Sequence, residues 1–246
     1  MEIKKLSIII PCYNEKDTIE KIIEEVMAVD LGSIKKEILI VDDGSKDNTR
    51  EIVKKLSKKN PSLKLLFQKT NQGKGAALKR GILESTGDIV VIQDADLEYD
   101  PQDYLRLLHP FNRGQADVVY GSRFIGGEPH RTIYYRNKIA NKLLTTLSNI
   151  LSGLNLTDME TCYKMIRGDL VRELAKDLRA QRFGFEAEIT ARIAKKGARV
   201  YEVGISYYGR SKEEGKKIGM RDGVKNVWEI IYFNATVRSN SKKTKN

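Results

Sequence analysis

The first hundred residues repeat one rhythm: a short apolar run, a polar cluster that stops it, then a segment with helical spacing. Residues 6–10 form a β-branched run halted by Pro11, and Tyr13-Asn14-Glu15 follows. Residues 37–41 end at Asp42-Asp43-Gly44-Ser45, and Leu63–Phe67 is a third run. Residues 88–93 form a fourth, ending at Asp94-Ala95-Asp96. Between these runs, residues 17–29 place Ile19, Ile22, Ile23 and Val26 on one helical face, with Asp17 as the expected N-cap. Asp47 or Asn48 is expected to cap a second helix with a buried stripe of Ile52, Val53 and Leu56, and residues 75–83 form a third helix. Strand and helix alternating in this way predict an α/β fold, with a mostly parallel sheet and helices on both faces. Such sheets bind ligands beyond the carboxyl ends of their strands, so the polar clusters are expected to converge on one edge.

The second half is less regular. Residues 117–120 read as a fifth strand and 200–208 as a later one. Helices are expected over 138–154, 180–194 and 224–237, with a Gly-rich charged loop over 209–223 and a frayed basic tail over 239–246. The 138–154 segment is amphipathic through Ile139, Leu143, Leu147, Ile150, Leu151 and Leu154, and fits either a bilayer surface or a face packed on the core. Trp228 and Tyr232 fit a headgroup layer or the core equally. No apolar run approaches the length of a membrane span and the N-terminus does not read as a signal peptide, so a cytoplasmic protein is expected. Cys12 and Cys162, far apart, read as reduced structural thiols. The net charge is +11, and residues 197–246 carry 11 Lys/Arg against 5 Asp/Glu, a balance that suits phosphorylated ligands, anionic membranes or nucleic acid. Basic residues without interleaved surface aromatics argue against nucleic acid.

Asp94-Ala95-Asp96 carries the chemistry. Two ionised carboxylates this close repel, a divalent cation relieves that repulsion, and hard oxygen ligands suit Mg²⁺ or Mn²⁺. Such a metal can also neutralise a departing diphosphate. Pro11-Cys12-Tyr13-Asn14-Glu15, Val41-Asp42-Asp43-Gly44-Ser45 and Gly73-Lys74-Gly75 precede it in order. With these four motifs the chain resembles the family 2 glycosyltransferases of the GT-A fold. Gly73-Lys74-Gly75 is not a phosphate-binding Walker loop, because the Gly-Lys-Ser/Thr ending is missing. Later segments are similar to the dolichol- and polyprenyl-phosphate mannose or glucose synthase branch. They include Tyr120-Gly121-Ser122-Arg123-Phe124, Tyr135-Arg136-Asn137-Lys138, Asp158-Met159-Glu160, Phe183-Gly184-Phe185-Glu186 and Gly209-Arg210-Ser211-Lys212.

The resemblance implies a glycosyltransferase domain over 1–210, with a Rossmann-like nucleotide-sugar half at 1–120 and an acceptor half at 121–210. The basic loop and C-terminal helix at 211–238 and a disordered tail at 239–246 would complete the chain. It implies that Pro11, Tyr13 and Glu15 line the base and ribose pocket and that Asp42 or Asp43 bonds the base. Lys74, Arg210 and Lys217 would lie by the donor phosphates; Asp94, facing the ribose as well, would hold the metal with Asp96 and Glu98; Arg123 and Arg136 would hold the acceptor phosphate. Glu98 stands where the branch commonly has Gln, and the C-terminal membrane helices of many members are missing here. The implied function is inverting hexose transfer from a GDP-mannose- or UDP-glucose-type donor to a polyprenyl phosphate. The protein would be peripheral at the cytoplasmic face of a membrane, with a membrane protein as a possible partner. A hydroxyl acceptor on a sugar or protein is the alternative, with Asp158, Glu160 or Glu186 as the base it needs. A non-catalytic nucleotide-sugar or nucleic-acid binder is the third reading.

Overall fold

Strands β1 (Lys5–Cys12), β2 (Lys35–Asp42) and β4 (Ile89–Ile92) are buried almost throughout, which is why they read as unbroken apolar runs. β1 pairs in parallel with β2 and with β4, and β2 pairs in parallel with β3 (Leu63–Phe67). The register sets Cys12 beside Asp42 and Asp42 beside Phe67, and the Gln93 amide extends the β4 pairing by donating to the Ile9 carbonyl. The polar clusters after β1, β2 and β4 therefore open on one edge, as expected. This is a computed structural model, and it describes residues 2–132, 135–182, 184–210 and 220–237, with side chains from residue 223 onward in the last segment.

The full sheet has seven strands in the order β3-β2-β1-β4-β6-β5-β7. β5 (Val118–Ser122) and β7 (Val200–Gly204) are parallel to each other, and β6 (Lys164–Arg167) runs antiparallel between β4 and β5. β6 has no signature in the sequence because its first residue is a lysine. Lys164 is buried; its ammonium donates to the carbonyls of Met159 (2.9 Å) and Thr161 and lies 5.1 Å from the centre of the Tyr120 ring. The strand over 200–208 is shorter than expected, because residues 205–209 leave the sheet and cross the end of β4, where the Tyr208 amide donates to the Glu98 carbonyl at 2.8 Å.

Helix α1 (Ile19–Ala28) buries Ile19, Ile22, Ile23 and Val26 as expected, but its N-cap is Thr18, not Asp17. The Thr18 hydroxyl turns back to the Glu15 carboxylate instead. In α2 (Thr49–Lys59), Asn48 occupies the N-cap, and the Asp47 carboxylate accepts from the Thr49 amide and hydroxyl. α3 (Lys74–Glu84) packs on β1 and β2. α4 (Tyr104–Asn112) and α6 (Gly168–Lys176) have no counterpart in the expected elements; α4 carries Pro110 in its interior, which hides its spacing. α7 (Phe185–Lys196) starts later than expected, since residues 180–182 are drawn off as an extended strap across α3. The Gly75 and Ala76 amides donate to the Arg182 and Gln181 carbonyls at 3.1 and 3.0 Å.

α5 (Tyr135–Ser152) and α8 (Met220–Thr236) pack against one another and against α7. α5 buries the stripe read from its sequence only in part: Leu147 and Leu154 pack on the core and Leu144, Thr145 and Ser148 are buried, while Ile139, Leu143, Ile150 and Leu151 are exposed. Among the described residues no helix is long and apolar enough to cross a membrane.

Gly81 lets α3 approach the sheet: a Cβ there would lie 2.5 Å from an Ile9 methyl and 3.1 Å from a Val41 methyl. Replacing it with a branched residue overpacks this contact, so Gly81→Val is expected to lower stability by about 1–3 kcal/mol in urea denaturation, despite its better helix propensity.

Candidate active site at the carboxyl edge of the sheet

The loops after β1 and β2 are tied to each other before any ligand is considered. The Asn14 amide donates to the Ser45 hydroxyl (3.0 Å), the Glu15 amide to the Thr49 hydroxyl (2.9 Å), and the Asn14 carboxamide accepts from the Lys46 amide (2.8 Å). Asn14 adopts a positive φ of 54° to do so. Pro11 is buried beneath this junction, and Tyr13 and Glu15 are half-buried at its rim.

Asp42 and Asp43 divide roles that the sequence left open between them. Asp42 is sealed from solvent, with its oxygens taken by Arg50 Nε (2.5 Å) and the Gly44 and Ser45 amides, so it holds the turn. Asp43 accepts from Gln68 Nε2 and the Gln72 amide on Oδ1 but only from the Gly73 amide on Oδ2, which keeps acceptor capacity on that oxygen. Gly44, at φ +78°, lets the turn pass the Thr70–Asn71 backbone, which a Cβ would strike at 2.7 Å.

The next carboxylates meet cations. Lys74, the first residue of α3, places its ammonium 2.8 Å from Asp94 and 3.3 Å from Glu186. Burial opposes the ammonium, but these two carboxylates outweigh it and hold Lys74 charged well above the usual lysine range. Arg210 lies 2.6 Å from Asp96 Oδ2 and 3.5 Å from Glu98 Oε1. Asp96 is pushed up to about 7 by burial and by the charges of Asp94 and Glu98, with Arg210 opposing. A site that strains this much to keep a carboxylate ionised, built of hard oxygen donors, fits a divalent cation. Glu98 is engaged in the same way: Oε2 accepts from the Tyr207 hydroxyl (2.9 Å) and Oε1 from the Arg210 amide (2.8 Å). Among the described residues no group of three or more His, Cys, Asp or Glu converges on a cation position.

Two buried features of this wall carry no sequence signal. Gln93 Oε1 accepts from both the Tyr104 and Tyr163 hydroxyls, at 2.6 and 2.7 Å, while its amide donates to the Asp94 carbonyl. That clamp fixes the strand end on which Asp94 stands. Tyr207 joins Glu98 from the segment after β7, which sequence spacing assigns to a strand.

On the opposite wall, Arg123 follows β5 and is paired bidentately with Asp158, Nε at 2.6 Å and Nη2 at 2.8 Å. Asp158 is fully buried and also accepts from the Arg123 amide, while Glu202 takes the Thr157 and Asp158 amides. Asp158 is therefore committed to orienting an arginine and is not a free base. Glu160 is raised to about 7 by burial and then by Glu186, and accepts from the Asn226 carboxamide of α8 at 3.2 Å. Arg136 is exposed on the first turn of α5. Lys217 and Phe183 lie outside the described residues. Cys12 and Cys162 are buried free thiols, both pushed up chiefly by burial, in keeping with a structural role.

Residues 7–175 match the model of the glycosyl transferase family 2. The dolichol-phosphate mannosyltransferase of Pyrococcus furiosus is 31% identical over 221 residues, 87% of this chain and 60% of that protein. The undecaprenyl-phosphate mannosyltransferase of Micrococcus luteus is 31% identical over 220 residues, 86% of each chain. The dolichyl-phosphate β-glucosyltransferase of Dictyostelium discoideum is 29% identical over 218 residues, 82% of this chain and 66% of that one. The chain thus spans about two thirds or less of the Pyrococcus and Dictyostelium proteins. Among solved structures, the glucosyl-3-phosphoglycerate synthase of Mycobacterium tuberculosis, in complex with Mn²⁺, UDP and glucosyl-3-phosphoglycerate, superposes with a TM-score of 0.69 at 20% identity, covering 96% of this chain and 82% of that one. The seven-stranded α/β sheet is accordingly of GT-A type, and the chain belongs to the glycosyl transferase family 2.

Proposed function

We propose that this chain transfers a hexose from a nucleotide sugar to a polyprenyl phosphate at the surface of an anionic bilayer. The observation that carries the reading is the commitment of Asp158 to Arg123: the acceptor wall presents an oriented guanidinium where a hydroxyl acceptor would require a free carboxylate. A phosphate monoester with its second pKa near 6 arrives already ionised and needs cations to hold it, not a base. The relatives named above act on lipid phosphates, which supports the same acceptor class.

In the proposed reaction the donor base and ribose lie against Pro11, Tyr13, Glu15 and Asp43, and the diphosphate lies between Lys74 and Arg210. Arg123, with Arg136 at the mouth, holds the acceptor phosphate. One of its oxygens forms the new bond to the anomeric carbon as that carbon's bond to the diphosphate breaks; the bonding pair departs with the nucleoside diphosphate and the configuration inverts. Mg²⁺ or Mn²⁺ held by Asp94 and Asp96 would supply the positive charge that the leaving diphosphate needs. EDTA or Asp96→Ala is therefore expected to abolish transfer of labelled sugar, and full activity under either condition would remove the metal from the scheme.

A hydroxyl acceptor remains the second reading because Glu160, at about 7, has the affinity for protons that a general base needs. The two separate cleanly. Arg123→Lys, which keeps a charge opposite Asp158 but loses the fork, and Arg136→Ala are each expected to raise the acceptor KM roughly tenfold or more, with donor affinity nearly unchanged. Transfer should proceed onto a polyprenyl phosphate and not onto the same polyprenol; equal use of the alcohol would favour Glu160 as base.

The bilayer enters through α5 and α8. Their outer faces expose Tyr135, Ile139, Leu143 and Ile150 on one helix and Val224, Val227, Trp228 and Ile231 on the other. Ile150 is 75% exposed and Trp228, stacked on Tyr232, 61%. Exposed Arg136, Lys138, Lys142 and Lys225 lie on the same two helices, a pairing of apolar surface with positive charge that suits anionic headgroups. Co-sedimentation with vesicles should require anionic lipid, weaken with salt, and be lost in Leu143→Asp/Ile150→Asp while nucleotide binding persists. Vesicle-independent dimerisation lost in the same variant would assign the face to a second copy.

A further inference from the structure

Tyr207 stands where the two walls of the site meet. It is 4% exposed and belongs to neither set of site residues expected from the sequence. Its hydroxyl donates to Glu98 Oε2 at 2.9 Å, on the donor side. Its ring lies 5.1 Å from the guanidinium carbon of Arg123, on the acceptor side. Asp158 compensates Arg123 only along the edge that carries Nε and Nη2. A guanidinium held by one edge can still tilt, and an aromatic ring beside it restricts that tilt.

The tyrosine itself cannot shift freely. Its amide donates to the Pro129 carbonyl (3.1 Å), its carbonyl accepts from the Arg131 amide (2.8 Å), and the next amide, Tyr208, donates to the Glu98 carbonyl. Three separate segments therefore meet at this residue. Its ring packs edge-on against Tyr99 at 5.4 Å; Tyr99 lies 4.9 Å from Tyr163, whose hydroxyl ends on Gln93 beside Asp94. Burial keeps the phenol protonated, so it serves as a donor to a carboxylate.

We propose that Tyr207 is a positioning residue that sets the acceptor-phosphate arginine and the metal-side carboxylates in fixed relation, the hydroxyl acting on Glu98 and Arg123 and the ring on Arg123. The inference rests on the roles given to Arg123, Asp94 and Asp96 in the proposed function; Glu98 is tied to Asp96 by its own amide (3.3 Å) and by Arg210, which meets both carboxylates. Removing the oxygen releases Glu98 and loosens Arg123, and removing the ring as well takes away the surface against which the guanidinium lies.

The test compares Tyr207→Phe with Tyr207→Leu in the full chain. Mn²⁺ binding in the presence of nucleoside diphosphate is read from the electron paramagnetic resonance of free Mn²⁺, and acceptor KM and kcat are read separately with polyprenyl phosphate. Tyr207→Phe is expected to weaken Mn²⁺ binding about tenfold, as loss of a partner to a metal-side carboxylate does, and to raise the acceptor KM less than Tyr207→Leu does. Tyr207→Leu is expected to weaken Mn²⁺ binding equally and to raise the acceptor KM about three- to thirtyfold. Thermal melts accompany both, and Tyr207→Phe, nearly isosteric, keeps the carboxylate arm readable if the leucine variant does not fold. Unchanged Mn²⁺ binding in Tyr207→Phe, or an unchanged acceptor KM in Tyr207→Leu, overturns the proposal. Arg123→Lys serves as reference: if it leaves the acceptor KM unmoved, the acceptor reading itself fails. If it raises that KM while Tyr207→Leu does not, only the role of Tyr207 falls.

Discussion

Asp94, Asp96, Glu98 and Glu186 crowd the ends of β4 and α7, and most of what surrounds them answers that concentration of negative charge. Lys74 meets Asp94 and Glu186, Arg210 meets Asp96 and Glu98, and Tyr207 donates to Glu98. Carboxylates brought together in a poorly solvated cleft are tolerated only when each finds a cation or a donor. The pressure on Asp96, raised to about 7, measures how incompletely the protein alone meets that demand. The parallel pairing of β1 with β2 and β4 opens the ends of these strands on the edge where those carboxylates stand.

The parts of the fold that were readable in the sequence are those whose residues act locally. β1, β2 and β4 are buried on both faces and so spell themselves as apolar runs; α1 presents Ile19, Ile22, Ile23 and Val26 at helical spacing to the sheet. Asp94 and Asp96 were visible because a strand that ends in two carboxylates has few structural uses. What escaped is settled by long-range contacts. β6 begins with Lys164, tolerable in a core only because loop carbonyls and the Tyr120 ring receive its ammonium. Gln93 looks like any polar residue closing a strand until Tyr104 and Tyr163 arrive from α4 and from the residue before β6. Asp42 and Asp43 are neighbours of identical type, and only the positions of Arg50, Gln68 and Gly73 tell the turn-former from the residue with an oxygen to spare.

α5 makes the same point in reverse. Its periodicity is genuine, but periodicity specifies a face and not what that face meets. Leu144, Thr145 and Ser148 take the interior, where the Thr145 hydroxyl accepts from the Met159 amide, and Ile139, Leu143 and Ile150 of the more apolar stripe are turned outward. The inner side of α8 meanwhile reaches the site through Asn226 and Glu160. One pair of helices thus borders both the exposed apolar surface and the buried carboxylates.

The strap across the start of α3 alters the electrostatics of donor binding. A helix N-terminus ordinarily offers free amides and a positive dipole end to a phosphate. Here the Gly73 amide is given to Asp43, and those of Gly75 and Ala76 to the carbonyls of Arg182 and Gln181. The backbone has spent its anion-binding capacity on holding the protein together. In the proposed reaction a diphosphate at this edge draws its compensating charge from side chains and from a cation that would arrive with it, so that recognition would depend on mobile charges where many nucleotide-binding folds rely on a fixed dipole.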